Sequence, residues 1–267
     1  MNIRPSENAL GARITGLDLT VPPEPRTASA IREALWTHLV LHFPAQDLTE
    51  RQQLDFTSLF SEPLVHVRSQ PGAHEPGIFI VSNVVEDGAP IGALGAAHIG
   101  FHSDLAYLPE PGTVSTLYAV EVPDQGGDTT WASGYSAYEA LGSSTREKLR
   151  GIRAVHQHTT PELNPAEPTQ HPVVITHPES GRKALFVTPL FTRELVGLPA
   201  DEDKNKLLRR LVMHATQPRF TWTHHWQPGD LVVWDNRATQ HSRAAFDSDA
   251  RRVMRRTQIF NDTRPVP

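Results

Sequence analysis

The sequence predicts a mainly β protein with flanking helices. Short apolar runs of four to eight residues recur between turn signals, the pattern of strands. The 267 residues include 23 prolines and 17 glycines, with hydrophobic residues at 38%, so the chain is loop-rich and broken too often for long helices. Helical spacing occurs in a few places, near the start and in insertions. No repeat, low-complexity tract or linker interrupts the chain, and 1–267 reads as a single domain.

In chain order, Ile14 to Leu19 alternates like an opening strand. Thr27 to Leu39 carries Ile31, Leu35 and Leu39 at helical spacing. Val40 to Phe43 is a short strand stopped by Pro44. Thr49 with Gln52 forms a capping-box pattern ahead of a helix with Phe56, Leu59 and Phe60 on one side. Ile78-Phe79-Ile80-Val81 reads as a buried strand. The stretch 84–100 contains an uncharged, Gly- and Ala-rich run and is a candidate lid. Val114 to Val122 is a strand, and Ser144 with Glu147 resembles a second capping box. The prolines at 161, 165, 168 and 172 argue against any regular element in 158–172, a second candidate lid. Pro199 to His214 has the apolar stripe Leu207, Leu208, Leu211 and Val212. Phe220 to Trp226 and Leu231 to Trp234 flank the turn signal Gln-Pro-Gly-Asp, and Arg251 to Phe260 is the last strand.

A net charge of −5 lacks the basic footprint of nucleic-acid binding. The chain has no cysteine, which excludes disulfides and thiolate metal sites. It shows no apolar leader and no run of membrane-spanning length. A soluble cytoplasmic protein with no membrane contact is therefore expected.

The chemistry points to three candidate metal ligands and two arginines. His102 and Asp104, two apart, would share one face of a strand. His241, far downstream, could supply a third ligand from an adjacent strand. Two imidazoles and one carboxylate suit Fe(II) and leave the opposite face open for chemistry. Structural alternatives exist. A lone His-x-Asp is weak, His177-Pro178-Glu179 repeats its spacing within a hairpin-turn pattern, and His241 could instead bond Asp235 or a backbone carbonyl. Arg252 and Arg256, four apart, would share one strand face with Met254, leaving Arg251, Val253 and Arg255 on the other. Two inward guanidiniums require anionic partners. One partner could be a dicarboxylate and the other an acidic substrate; the alternative is a solvated face paired with Asp or Glu.

Four segments carry a family resemblance: Phe101-His102-Ser103-Asp104-Leu105-Ala106-Tyr107, Gly126-Gly127-Asp128-Thr129-Thr130-Trp131, Trp234-Asp235-Asn236-Arg237 with Thr239-Gln240-His241, and Arg251 to Arg256. In order and spacing they resemble the TauD/TfdA family of Fe(II)/2-oxoglutarate oxygenases, with weaker similarity along nearly the whole chain. The resemblance implies a double-stranded β-helix, or jelly roll. It implies iron on His102, Asp104 and His241, 2-oxoglutarate on Thr129 and Arg252, and O2 as oxidant. Arg256 would hold the acid group of a small anionic substrate, with His98, Tyr107 and Phe191 around it and no further catalytic residue. Trp234 would pack near the metal as core. His98 and Tyr107 depart from the family's pattern, which leaves the substrate open among sulfonates, alkyl sulfates and aryloxyalkanoates. His66 and His74 are unassigned. The family also implies a homo-oligomer, dimer or tetramer. Two other readings stay open: a jelly-roll small-acid binding protein, and a metalloenzyme that does not use 2-oxoglutarate.

Overall fold

The computed structural model describes residues 1–65, 70, 72–260 and 263–267. Two sheets dominate. A seven-stranded sheet runs, edge to edge, through Asn2–Pro5, Ala12–Thr15, Val40–Phe43, Leu231–Asp235, Gly112–Glu121, Val253–Phe260 and Phe79–Ser82. A four-stranded sheet runs through Thr221–His224, Thr129–Ser133, Thr239–Arg243 and Ile99–His102.

Strand alternation decides what each face covers. In Leu231–Asp235, Val232 and Trp234 join Leu117, Ala119, Met254 and the Trp131 and Trp226 rings in a core shared by both sheets. Leu231 and Val233 point the other way, into a cluster with Ile31, Leu35 and Phe56. That outer cluster is closed by two helices, Pro25–His38 and Glu50–Thr57. The first opens on Pro25, where a missing N–H costs nothing, and ends on Leu39 in the left-handed conformation. The second has both halves of the Thr49–Gln52 capping box. Burying Ile31 and Leu35 completely stabilises the first helix by roughly 2 kcal/mol each.

Several sequence expectations need correction. The opening strand is Ala12–Thr15, paired to an unanticipated Asn2–Pro5. The Ser143–Lys148 helix starts from Gly142 with no side-chain cap, so Ser144 and Glu147 form no capping box. Segment 158–172 contains a 3-10 turn at Pro161–Leu163 and a strand at Thr169–Pro172. Its prolines are tolerated because Pro161 opens the turn and Pro172 ends an edge strand. The Lys204–Ala215 helix begins later than Pro199, where Asp203 accepts from the Lys206 N–H at 2.9 Å. Gln-Pro-Gly-Asp joins strands of different sheets, so it makes a crossover.

A third cluster, between Lys204–Ala215 and a small sheet of Thr169–Pro172, Arg153–His156 and Thr192–Val196, supports the far end. Beside it, His156 and His171 lie with ring centroids 5.4 Å apart, and His156 Nε2 has no hydrogen-bond partner among the described residues. Burial lowers His156 to about 3 and His171 to about 4. The unfolded chain takes up these protons near the ordinary histidine value and the folded protein does not, so stability present above pH 6.5 is lost as pH falls. Denaturant titrations at pH 6.5 and 5 should show His156→Leu escaping about 2 kcal/mol of the wild-type loss over that interval.

Candidate metal and diacid site

The site lies at the edge of the four-stranded sheet where Thr239–Arg243 meets Ile99–His102. His241 pairs directly with His102 across that register, and their rings are 4.2 Å apart. Asp104 arrives differently from the expectation. The strand stops at His102, and Asp104 sits in the turn that follows, ahead of Leu105 with φ 58°. It is therefore aimed by side chains and not by the pleat. Ser115 Oγ donates to Asp104 Oδ2 at 2.7 Å, Asn236 Nδ2 donates to Ser115 Oγ at 2.9 Å, and the Asp104 N–H donates to Asn236 Oδ1 at 3.2 Å. Trp234 Nε1 fixes the same amide oxygen at 2.9 Å, and Ser103 Oγ donates to the Asn236 carbonyl at 2.6 Å. Ser115 and Asn236 were not singled out from sequence; the Trp-Asp-Asn-Arg segment was the available signal.

The three donor groups lie within 4.8 Å of one another. His102 Nδ1 and the Gly100 carbonyl are 2.9 Å apart, which leaves Nε2 facing inward. His102 Nε2 and Asp104 Oδ1 are 3.8 Å apart, too far to hydrogen-bond yet close enough to share one ion. A second group, His42, His224 and Asp230, makes the contrast. There both Nε2 atoms bond the Asp230 carboxylate, at 2.8 and 2.9 Å, and the Gln227 N–H adds a third bond. That cluster is satisfied without a metal; the His102–Asp104–His241 set is not.

Burial and the neighbouring His102 and Arg256 lower His241 to about 3, against the pull of Asp104. Burial alone would raise Asp104, but His241, Arg256, His102 and the Ser115 bond outweigh it and hold the carboxyl down to about 2. At neutral pH the site thus offers two neutral imidazoles and one carboxylate, the state a metal requires.

Arg252 is the second singular feature. It is 1% exposed, and its Nε and Nη1 have no hydrogen-bond partner among the described residues. Its guanidinium makes a 3.5 Å approach from Nη2 to the Gly127 carbonyl and lies 5.8 Å from the Phe246 ring centroid. Burial, with Arg243 nearby, lowers it to about 9, so it stays cationic at neutral pH. Gly126 and Gly127 explain the local sequence. Both have positive φ, a Cβ on Gly126 would meet the Ala245 carbonyl at 2.6 Å, and one on Gly127 would meet Arg252 Nε at 3.2 Å. Only glycine lets the backbone pass so close. Thr129 is buried and accepts from Trp226 Nε1 at 3.0 Å, which leaves its hydroxyl proton to donate.

Arg256 lies with Nη1 3.7 Å from Asp104 Oδ1, its Nε unpartnered and its guanidinium 4.6 Å over the Phe79 ring. The two-faced reading of this strand holds: Arg255 turns outward over Tyr118, and Arg251 pairs with Glu121 and Glu86 at the surface. Phe191 stands edge-on to His102 at 5.7 Å and to Tyr107 at 5.3 Å. His158, which sequence reasoning missed, packs on both Tyr107 and Phe191. Trp234 is core, with its ring 4.9 Å from His241. His98 is exposed on the approach to the site strand, His74 is exposed, and His66 lies outside the described residues. Asp235 does not hold His241. It binds the buried His177 at 2.9 Å and Arg237 at 2.6 Å, so His177 is a structural hydrogen-bond partner beside a hairpin. A surface cavity of about 860 Å³ beside Arg146, Arg150 and Arg153 contains no comparable donor set, so size alone does not mark the chemistry.

The family model for the taurine catabolism dioxygenase TauD, TfdA family matches residues 2–258. The chain belongs to the TauD/TfdA family. Pentalenolactone F synthase of Streptomyces arenae is 35% identical over 98% of this chain and 96% of its own. The alkylsulfatase of Acinetobacter baylyi is 32% identical over 98% and 86%. The alpha-ketoglutarate-dependent 2,4-dichlorophenoxyacetate dioxygenase of Cupriavidus pinatubonensis is 34% identical over 84% and 85%. Among solved structures, a taurine dioxygenase from Burkholderia xenovorans superposes with a TM-score of 0.84 at 34% identity, covering 99% of this chain and 92% of that one. AAD-2 in complex with Mn(II) and N-oxalylglycine gives 0.81 at 30%, covering 99% of each. No described helix is long and apolar enough to cross a membrane.

Proposed function

We propose that this protein is an Fe(II)/2-oxoglutarate-dependent dioxygenase that hydroxylates a small organic acid. The two facing sheets are read as a double-stranded β-helix forming one domain over 1–267. One observation carries the reading: a His-Asp-His donor set whose side chains do not hydrogen-bond one another occurs in the same protein as Arg252, a buried guanidinium that has no carboxylate partner among the described residues. Leaving that charge unpaired costs several kcal/mol, and a dicarboxylate ligand removes the penalty.

His102, Asp104 and His241 would hold the iron. When bound, iron and 2-oxoglutarate together activate O2, with release of succinate and CO2 and delivery of one oxygen atom to a substrate C–H bond. Arg252 takes the distal carboxylate of 2-oxoglutarate, and the Thr129 hydroxyl donates beside it. Arg256 takes the acid group of the substrate, and Tyr107, Phe191 and His158 form an aromatic wall that orients its carbon skeleton and excludes water. His98 stands at the entrance, and segments 84–100 and 158–172 act as lids. Candidate substrates are sulfonates, alkyl sulfates and aryloxyalkanoates, in keeping with the alkylsulfatase and dichlorophenoxyacetate relatives. If the attacked carbon bears oxygen or sulfur, hydroxylation leads on to C–O or C–S cleavage. The enzyme is placed in the cytoplasm, as a homo-oligomer.

The test adds 2-oxoglutarate to anaerobic Fe(II) protein. A visible charge-transfer band is expected, followed in air by succinate release that one class of acids, or a lactone of the pentalenolactone type, stimulates. Metal binding with no band and no succinate would favour the metalloenzyme that does not use 2-oxoglutarate. A silent, non-turning protein that still binds the acid would favour the binding protein.

A further inference from the structure

Arg252 is not the only buried cation in this part of the molecule. Arg243 ends the strand that carries His241 and is 6% exposed. Among the described residues neither arginine pairs with a carboxylate. Both approach one ring: the Arg243 guanidinium lies 5.3 Å and that of Arg252 5.8 Å from the Phe246 centroid. Phe246 in turn packs against Gly126 and Gly127, the backbone that passes over Arg252. Two guanidiniums therefore border one poorly solvated space.

The partners of Arg243 are backbone carbonyls of another segment. Its Nη1 donates to the Leu94 carbonyl at 2.9 Å and its Nη2 to that of Ala97, while Nε is buried without a hydrogen-bond partner among the described residues. The Phe246 N–H adds a bond to the Ala96 carbonyl at 3.2 Å. Leu94 has φ 72° and its side chain is exposed. A leucine in that conformation costs roughly 1–2 kcal/mol and persists where contacts enforce it. The backbone around Leu94 is tied by the Arg243 fork, the Phe246–Ala96 bond and the bonds of Ala93 to Ile80 and Ser82, and of these the fork alone comes from a side chain. The segment then runs from Ala97 through Gly100 into His102, and Arg243 pairs with Ile99 at the sheet edge.

We propose that Arg243 is a positioning residue that couples occupancy of the Arg252 pocket to the order of loop 94–97. The inference rests on the assignment of Arg252 to a dicarboxylate. With the pocket empty, the two like charges repel across a low-dielectric space, and the hold of Arg243 on the strained loop is weakened. A carboxylate on Arg252 cancels that repulsion, and Arg243 settles on the Leu94 and Ala97 carbonyls. By linkage the effect is reciprocal: loosening the loop weakens the diacid.

Hydrogen–deuterium exchange of the 93–98 peptide, read beside calorimetric titration of 2-oxoglutarate into Mn(II)-loaded protein, tests this without turnover. In the wild type, saturating 2-oxoglutarate should slow exchange in that peptide at least about fivefold, the response expected of a locally opening unit. Arg243→Gln should exchange fast with or without the diacid and bind it about tenfold more weakly, with Mn(II) affinity within about threefold of wild type. Arg243→Lys, which keeps the charge but not the fork, should leave the loop fast. The coupling is overturned if wild-type exchange ignores bound 2-oxoglutarate, a result that needs no variant to fold. It is also overturned if Arg243→Gln keeps both the wild-type affinity and the exchange response. Failure of the wild type to bind 2-oxoglutarate would instead sink the assignment of Arg252, and the coupling with it.

Discussion

Asp104→Ala should abolish turnover, lowering it by at least about a thousandfold, because the site loses its sole anionic ligand and two neutral imidazoles remain. Equilibrium dialysis with Co(II), whose visible spectrum reports its ligands, should show affinity reduced by at least about a hundredfold. The apo protein should not unfold. Ser115 and Asn236 still bond each other when the carboxylate is gone, and the lost Asp104–Arg256 approach is a long one at 3.7 Å. Thermal melts of apo wild type and apo variant should therefore agree within a few degrees, while added metal raises the midpoint of the wild type alone. Ser115→Ala is the graded companion: Asp104 stays but loses the bond that aims it, and about a tenfold to hundredfold loss of metal affinity is expected. If Asp104→Ala retains tight, stoichiometric metal, the three-residue centre is wrong.

The brace around Asp104 shows where sequence reasoning stops. Three ligand candidates were legible because a metal demands particular residue types, and those types leave a mark at any distance. The supporting Ser115 leaves none and Asn236 only its place in Trp-Asp-Asn-Arg, since serine and asparagine suit turns, caps and strands alike. His102 and Asp104 do come together, but not through the strand period: a two-residue period assumes the strand continues, and here it ends at His102. Local signals were reliable where one face is buried against one partner. The Ile31 and Leu35 stripe and the Thr49–Gln52 box are of this kind. The Ser144–Glu147 pattern failed because the chain enters that helix from Gly142, two residues too early for the box to close. Sheet order was illegible. Nothing in Gln-Pro-Gly-Asp says whether the chain turns back on its own sheet or crosses to the other, and it crosses. Arg243 was invisible for a related reason. Its partners are carbonyl groups some 150 positions upstream, and a backbone acceptor has no sequence signature.

Arg252→Met should separate function from stability in opposite directions. Methionine matches much of the length of arginine and brings no charge into a site that is 1% exposed. In the absence of a diacid, the native guanidinium has two nitrogens without partners and a like charge near it, so its burial is a net cost to the folded state. The apo variant should therefore be more stable than wild type by about 1–3 kcal/mol, seen as a higher denaturant midpoint with an unchanged slope. Affinity for 2-oxoglutarate should fall by about 3–4 kcal/mol, or a few hundredfold, because a desolvated charge pair is lost along with its directional hydrogen bonds. Metal affinity should change little, since none of the three ligands bonds Arg252. Calorimetry of Mn(II)-loaded protein reads the second effect and urea titration of apo protein the first. A variant that loses stability while binding the diacid normally would mean that the guanidinium is a structural tie with a partner of its own. A variant that gains stability and loses the diacid identifies it as a receptor held ready at the expense of the fold, the trade expected where a binding site is built into a core.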